Sequence, residues 1–351
     1  MGRTLFIGGE TVAPGERRLV RIPVSKLSIH TEIALPVHVL NGRSDGPAMF
    51  VSAAIHGDEL NGIEIARRLL EAIEPDTLVG TLYCVPVVNA FGFIARSRYL
   101  PDRRDLNRSF PGTQSGSLAA RLAHIFMTEV VARCEVGVDL HTAAIHRDNY
   151  PQVRCALGAS ARLRELAIAF GAGVVLDSPE RPGSLRKTAR EVGVDVLVYE
   201  GGEGLRFDEP AIATGVGGVL AVMRRIGMLA PAEAAGATIS TREPVPTSKS
   251  VFFATASRWV RAPDAGIVHT QHKLGQEIHA GEVIGTISSP FETSDIGIVA
   301  PHAGVIIGQT TLPVVNMGDA LFHIAWSDAS RVPAAKAVPS AEPLLDEDEI
   351  L

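Results

Sequence analysis

The chain has 351 residues, of which 46% are hydrophobic and 21% charged, and a formal net charge of -6; this balance fits an ordinary soluble protein and offers no basic footprint for nucleic acid. That length exceeds the usual single hydrophobic core, so a main domain with a smaller companion is expected. No long apolar run marks a leader or a membrane span, and Cys84, Cys134 and Cys155 lack any C-x-x-C spacing, so a cytoplasmic protein with no membrane partner and no disulfide framework is expected.

In chain order, residues 18–40 carry the runs RLVRIPV and TEIALPVHVL, which predict a pair of strands ending at the turn-like NGRSDGPA. Residues 1–44 are expected to pack as strands on the main domain. From 45 to 230 strand-like runs alternate with helical patterns: AMFVSAAI, the helix LNGIEIARRLLEAI, TLYCVPVVN, a helix over about 117–133, VGVDL, a helix around 160–170, VDVLVY, and a helix near 210–227. Such alternation predicts an α/β domain whose sheet is covered by helices on both faces, with functional residues at the carboxyl ends of its strands. Residues 231–250, rich in Ala, Pro, Ser and Thr, read as a linker. From 251 to 327 short β-like runs separated by Gly turns contain a weak repeat, APDAGIVHT against APHAGVIIG, which suggests a small all-β barrel or sandwich. The tail over 328–351 is Pro, Ala and acid rich and reads as disordered.

Four stretches carry chemistry. In VSAAIHGDELNG, Asp58 suits a helix cap, but His56 follows a buried-strand pattern and so stands where α/β proteins place ligands. His141 emerges in the same way from VGVDLH, with Asp139 two residues earlier as a carboxylate that could orient a ligand. Two imidazoles and one carboxylate, from His56, Glu59 and His141, form the usual donor set of catalytic zinc. Glu200 ends the apolar run VLVYE and suits a general base and acid, with Glu203 the competitor. Asn107 and Arg108 lie in RDLNRSFPG, with Arg96, Arg98, Arg103 and Arg104 nearby, a density of guanidinium that suits carboxylate capture but also a solvated basic loop.

Taken together, IHGDE, DLNRSFPG, DLH and YEGG, in this order over about 45–230, resemble the succinylglutamate desuccinylase and aspartoacylase family, a branch of the zinc carboxypeptidase-like fold. The resemblance implies a mixed sheet flanked by helices with a small C-terminal all-β domain. It implies one zinc ion held by His56, Glu59 and His141, Asn107 and Arg108 on the substrate carboxylate and scissile carbonyl, and Glu200 as catalytic acid and base. Of the family's other substrate arginines, Arg98 is preferred to Arg96 and Arg103, and Arg186 to Arg190. The implied partner is a small N-acyl amino acid, with the activity that of an amide-cleaving deacylase. A carboxypeptidase acting on short peptides and a non-catalytic binding protein on the same fold are the alternatives, and the sequence leaves room for a homo-oligomer. The C-terminal half-repeats are also similar to a biotinyl or lipoyl barrel, but the hairpin SSPFETSDIG has no lysine to carry the group. A structural β-domain that lids the active-site mouth is expected instead.

Overall fold

The computed structural model describes residues 2–26, 28–231, 251–291, 293 and 295–328; the expected linker and tail lie outside the described residues, apart from 231 and 328. Ten strands form the main path of one large mixed sheet: β1 Glu16–Lys26, β2 Glu32–Asn41, β3 Ser44–Ala53, β4 Val79–Val85, β5 Val136–His141, β6 Arg147–Cys155, β7 Asp195–Glu203, β8 Ala256–Arg261, β9 Gly304–Thr310 and β10 Ala320–Trp326. Their spatial order is β8-β10-β9-β6-β7-β5-β3-β4-β2-β1. The central strands β4, β3, β5 and β7 run parallel, so their carboxyl ends meet at one edge. Antiparallel strands extend the sheet on both sides.

Side chains alternate along these strands and so sort into two cores. Met49 and Val51 of β3, Val136, Val138 and Leu140 of β5, and Leu197 and Tyr199 of β7 pack under α1 Asn61–Ala72, α4 Ala161–Phe170 and α6 Glu209–Arg225. Phe50 of β3 and Val196 of β7 face the other way, with α3 Leu118–Glu129 and α5 Leu185–Glu191. There the Phe50 ring meets Phe126 edge-on at 5.9 Å and lies where a Cβ on Gly137 would stand. Ser52, Asp139, His141 and Glu200 keep the parity of this second face.

The expected helices are present with shifted ends, and a short helix, α2 Ala90–Ala95, was not signalled by periodicity. Two differences are physical. Strand β3 begins at Ser44, inside the stretch read as a turn, with its pairing interrupted between Ser44 and Ala48 where Gly46 and Pro47 fall. Asp58 does not cap α1: Leu60 is the N-cap residue and makes no side-chain cap bond. Asn61 instead ties the helix start to the β7 end, donating to the Gly201 carbonyl at 2.9 Å and accepting from the Asp208 amide at 3.1 Å.

The C-terminal strands divide between two sheets. β8, β9 and β10 continue the main sheet, while Gly266–His269, Val283–Ser288, Asp295–Val299 and Val314–Val315 form a separate sheet of four strands. Ile298, Ile306, Phe322 and Ile324 fill the core they share. The main sheet crosses into this region where β9 pairs with β6, Gly308 opposite Asn149 and Gln309 opposite Asp148.

At that seam Asp148 also faces Glu203 of β7. Burial, with Asp208 and Glu203 close by, pushes the Asp148 carboxyl up to about 6. A raised folded-state value means that the native protein holds this proton more tightly than the unfolded chain does, so the cost is full above about pH 6 and fades as pH falls toward the ordinary value of 3.8. Asp148→Asn should therefore raise the melting temperature at pH 8 and leave it nearly unchanged at pH 4, as read by paired thermal melts.

Candidate active site

The carboxyl ends of β3, β5 and β7 bring His56, Glu59, His141 and Glu200 into one pocket. Beyond β3 the chain turns through Ala54, whose φ is +48°, and passes so close to α2 that a Cβ on Gly57 would stand 1.9 Å from the Gly92 carbonyl carbon. Only glycine fits this approach. Asn89 fastens the same corner, accepting from the Gly92 amide at 2.8 Å and donating to the Ile55 carbonyl at 3.3 Å. His141 is the last residue of β5 and lies in parallel register with Glu200.

His56, Glu59 and His141 are 3, 3 and 4% exposed. Glu59 bridges the two rings, with Oε1 at 2.6 Å from His56 Nδ1 and Oε2 at 2.7 Å from His141 Nδ1. Each ring is held from behind by a second carboxylate. His141 Nε2 lies 2.8 Å from Asp139 Oδ2, whose Oδ1 accepts from Ser52 at 2.7 Å. His56 Nε2 lies 3.2 Å from Asp105 Oδ1, and Asp105 is itself fixed by the Asn107 amide at 2.7 Å and by Arg98 Nη2 at 2.9 Å.

Burial alone would raise the Glu59 carboxyl, but His56 and His141 outweigh it and hold Glu59 well below the usual carboxylate range. Asp105 is likewise held low against burial by His56, Arg98 and Arg108. Burial lowers His141, yet Asp139 and Glu59 carry it well above the ordinary imidazole value.

These donors fit a divalent metal. One ligand atom from each of His56, Glu59 and His141 lies within 4.8 Å of the others. The carboxylates behind the Nε2 atoms set both rings with Nδ1 toward Glu59, the arrangement that keeps a metal-ligating imidazole in one tautomer. Three carboxyl groups, on Glu59, Asp105 and Asp139, surround two imidazoles beside Arg98, a charge distribution that a dication balances.

The pocket wall includes Asn107, Arg108, Arg98 and Arg186. Asn107 Oδ1 accepts from the Leu185 amide at 2.9 Å and so locks the DLNR loop to the start of α5. Arg108 Nη1 donates to the Asn107 carbonyl at 2.8 Å. Arg98 spends Nε and Nη2 on Asp105, which ties it to the His56 side of the site. Arg186 donates to the Pro179 carbonyl at 2.9 Å, and its Nη1 is buried with no hydrogen-bond partner. Arg190 instead pairs with Glu180 at 2.5 Å, Arg96 and Arg103 do not line the pocket, and Glu203 is turned to the His146 amide and Thr311.

Glu200 is held by Asn149 Nδ2 at 3.2 Å from Oε2 and by Arg154 Nη1 at 3.5 Å from Oε1. Asn149, Arg154, Arg181 and Asp105 were not singled out from the sequence; Asp105 is the first residue of the DLNR motif and was the one within reach of motif reading. Among the described residues, those lining the pocket end at Glu200, and none belongs to the C-terminal β-region.

Known proteins share this arrangement of chain. The model of the succinylglutamate desuccinylase/aspartoacylase catalytic domain matches residues 45–226. The chain is 24% identical to an N-alpha-acetyl-L-2,4-diaminobutyric acid deacetylase from Halomonas elongata over 87% of its own length and 90% of the relative's. A stretch of 140 residues, 37% of the chain and 41% of the relative, is 31% identical to a succinylglutamate desuccinylase from Pseudomonas aeruginosa. Among solved structures, a product-bound ectoine utilization protein from Ruegeria pomeroyi superposes with a TM-score of 0.74 at 21% identity, covering 88% of this chain and 94% of that one. A succinylglutamate desuccinylase/aspartoacylase from Rhodobacter sphaeroides gives 0.74 at 23%, covering 89% and 96%. At these identities the structural likeness is one of fold.

Asp139→Asn keeps the size of the side chain but weakens its hold on His141 Nε2. Affinity for a divalent metal, measured by chelator competition, should fall by about 10- to 100-fold, while circular dichroism stays unchanged.

Proposed function

The chain belongs to the succinylglutamate desuccinylase/aspartoacylase family, and on that premise we propose that it is a zinc-dependent deacylase that hydrolyses the amide bond of an N-acyl amino acid or related small acylated amine. The observation that carries this reading is Glu59 bridging two buried imidazoles, each backed by its own carboxylate, beside Glu200 in an arginine-lined pocket. His56, Glu59 and His141 would hold one zinc ion. When bound, it supplies a Lewis acid that acidifies water and polarises the acyl carbonyl.

The chain's own residues do the rest. Glu200 accepts a proton from the attacking water and returns it to the departing amine nitrogen. Arg108 donates to the oxygen that gains charge as the carbonyl carbon becomes tetrahedral, with Asn107 holding the loop that presents it. Arg98 fixes Asp105 and with it the His56 ring. Arg186, together with Arg154 and Arg181 on the same wall, supports recognition of a substrate carboxylate by bidentate guanidinium contacts.

The sign of this wall bears on the choice of substrate. Guanidinium groups outnumber the pocket's carboxylates, Glu59 and Glu200, so an acyl amino acid bearing a second carboxylate suits it better than one bearing a free side-chain amine. The three cysteines are buried and unpaired, which supports a reducing compartment such as the cytoplasm as its place of work; no described helix is long and apolar enough to cross a membrane.

Zinc-loaded protein should release amine from members of a panel of N-acetyl, N-succinyl and N-formyl amino acids, with dicarboxylic members preferred and dipeptides turned over poorly. Preference for dipeptides would favour a carboxypeptidase. Glu200→Gln should lower kcat by roughly 10²- to 10⁴-fold with zinc content still one per chain; near-normal activity in that zinc-loaded variant sinks the role given to Glu200. Dialysis against a chelator should abolish turnover, and added zinc should restore it.

A further inference from the structure

Two partners of Glu200 come from one neighbouring strand. Asn149 and Arg154 both belong to β6, and they meet different oxygens of the carboxylate. The pairing of β6 with β7 slips at this point: Glu200 stands opposite Gln152, whereas Gly202 stands opposite Asn149. This bulge turns the Asn149 side chain alongside Glu200 instead of along the strand. A carboxylate accepts and does not donate, so the amide must present Nδ2 to Glu200, which sends Oδ1 to the other side.

On that other side lies the C-terminal region. Asn149 pairs in register with Gly308 of β9, and a Cβ on Gly308 would stand 2.9 Å from Asn149 Oδ1, 3.2 Å from His323 Cβ and 3.5 Å from the Trp259 ring. The wall behind is stiff. Trp259 and His323 stack at 4.8 Å, and the Arg147 guanidinium lies 4.8 Å from the centre of the Trp259 ring. Asn149 is 5% exposed, so its amide has one slot to occupy, and the missing side chain at 308 is what leaves it open.

We infer that Asn149 is a positioning residue for Glu200, and that the C-terminal strand β9 sets the position of Asn149 through Gly308. The inference rests on the acid and base role given to Glu200 above. It makes the C-terminal region part of the catalytic apparatus without any of its residues entering the pocket. A Cβ at 308 presses hardest on the tip of the Asn149 side chain, at 2.9 Å, and less on the His323 Cβ, at 3.2 Å, so Gly308→Ala displaces the amide first, and thermal melts read any cost to the pairing with β10.

The test is a mutant cycle on the zinc-loaded full chain, with thermal melts of each variant, using whichever N-acyl amino acid it turns over. Asn149→Ala should lower kcat by about tenfold and leave KM within about twofold, as removal of an orienting group acting in the transition state requires. It should also move the acidic limb of the kcat/KM profile to higher pH, because the lost donor favoured the ionised carboxylate. Asn149→Asp keeps the shape but cannot donate, and should be at least as damaging. Gly308→Ala should lower kcat several-fold with a melting temperature close to the parent's, and should cost nothing further in the Asn149→Ala background.

Four results overturn the inference. Asn149→Asp retaining parental kcat would show that the side chain only fills space, and an equal loss from Gly308→Ala in both backgrounds would show that it does not act through Asn149. If Gly308→Ala fails to fold, the Asn149 pair alone decides. An active Glu200→Gln overturns the underlying role and this inference with it, whereas an inactive Glu200→Gln beside a normal Asn149→Ala overturns this inference alone.

Discussion

The site is organised by the need to keep Glu59 buried between two imidazoles. A carboxylate removed from water is costly unless every oxygen is partnered, and here the pairing continues outward, from Asp105 through His56, Glu59 and His141 to Asp139. The relay draws on three parts of the chain, the DLNR loop, the turn after β3 and the end of β5. Arg98 and Ser52 close the two ends. The strand ends, the turn after β3 and the DLNR loop must therefore meet within hydrogen-bond tolerance, and the close contact of Gly57 with α2 is a cost of that convergence.

The sheet supplies the frame by simple alternation. One parity of β3 and β5 fills the core beneath α1, α4 and α6, and the other carries Ser52, Asp139 and His141. The same strands thus hold the protein together on one side and present its chemistry on the other. Because the parallel strands end together, His141 and Glu200 are neighbours by register alone, so the two groups need no long loop to bring them into proximity.

What could be read from the sequence follows from this geometry. His56, His141 and Glu200 each stand directly after an apolar run, so their places at strand ends were visible, and the family resemblance joined them. Helix α5 and strand β6 were not visible. RDNYPQVRC is too polar and contains a proline, so β6 lacks a buried-strand signature, and Asn149, Arg154 and the register slip beside Glu200 were hidden with it. Asp58 was misread for a related reason: local capping rules do not see Asn61 reaching across to β7. The small β-region was legible as β-structure, but its division between two sheets depends on pairings far apart in sequence.

That division has a practical meaning for anyone shortening the chain. The catalytic-domain match stops at residue 226, yet the hydrogen-bonded ladder runs on from β6 into β9. A fragment cut there would expose the backbone groups of Arg147, Asp148 and Asn149 as an open strand edge, which invites pairing between copies and precipitation. The boundary at 226 marks where the catalytic-domain match ends, not where the protein can be divided.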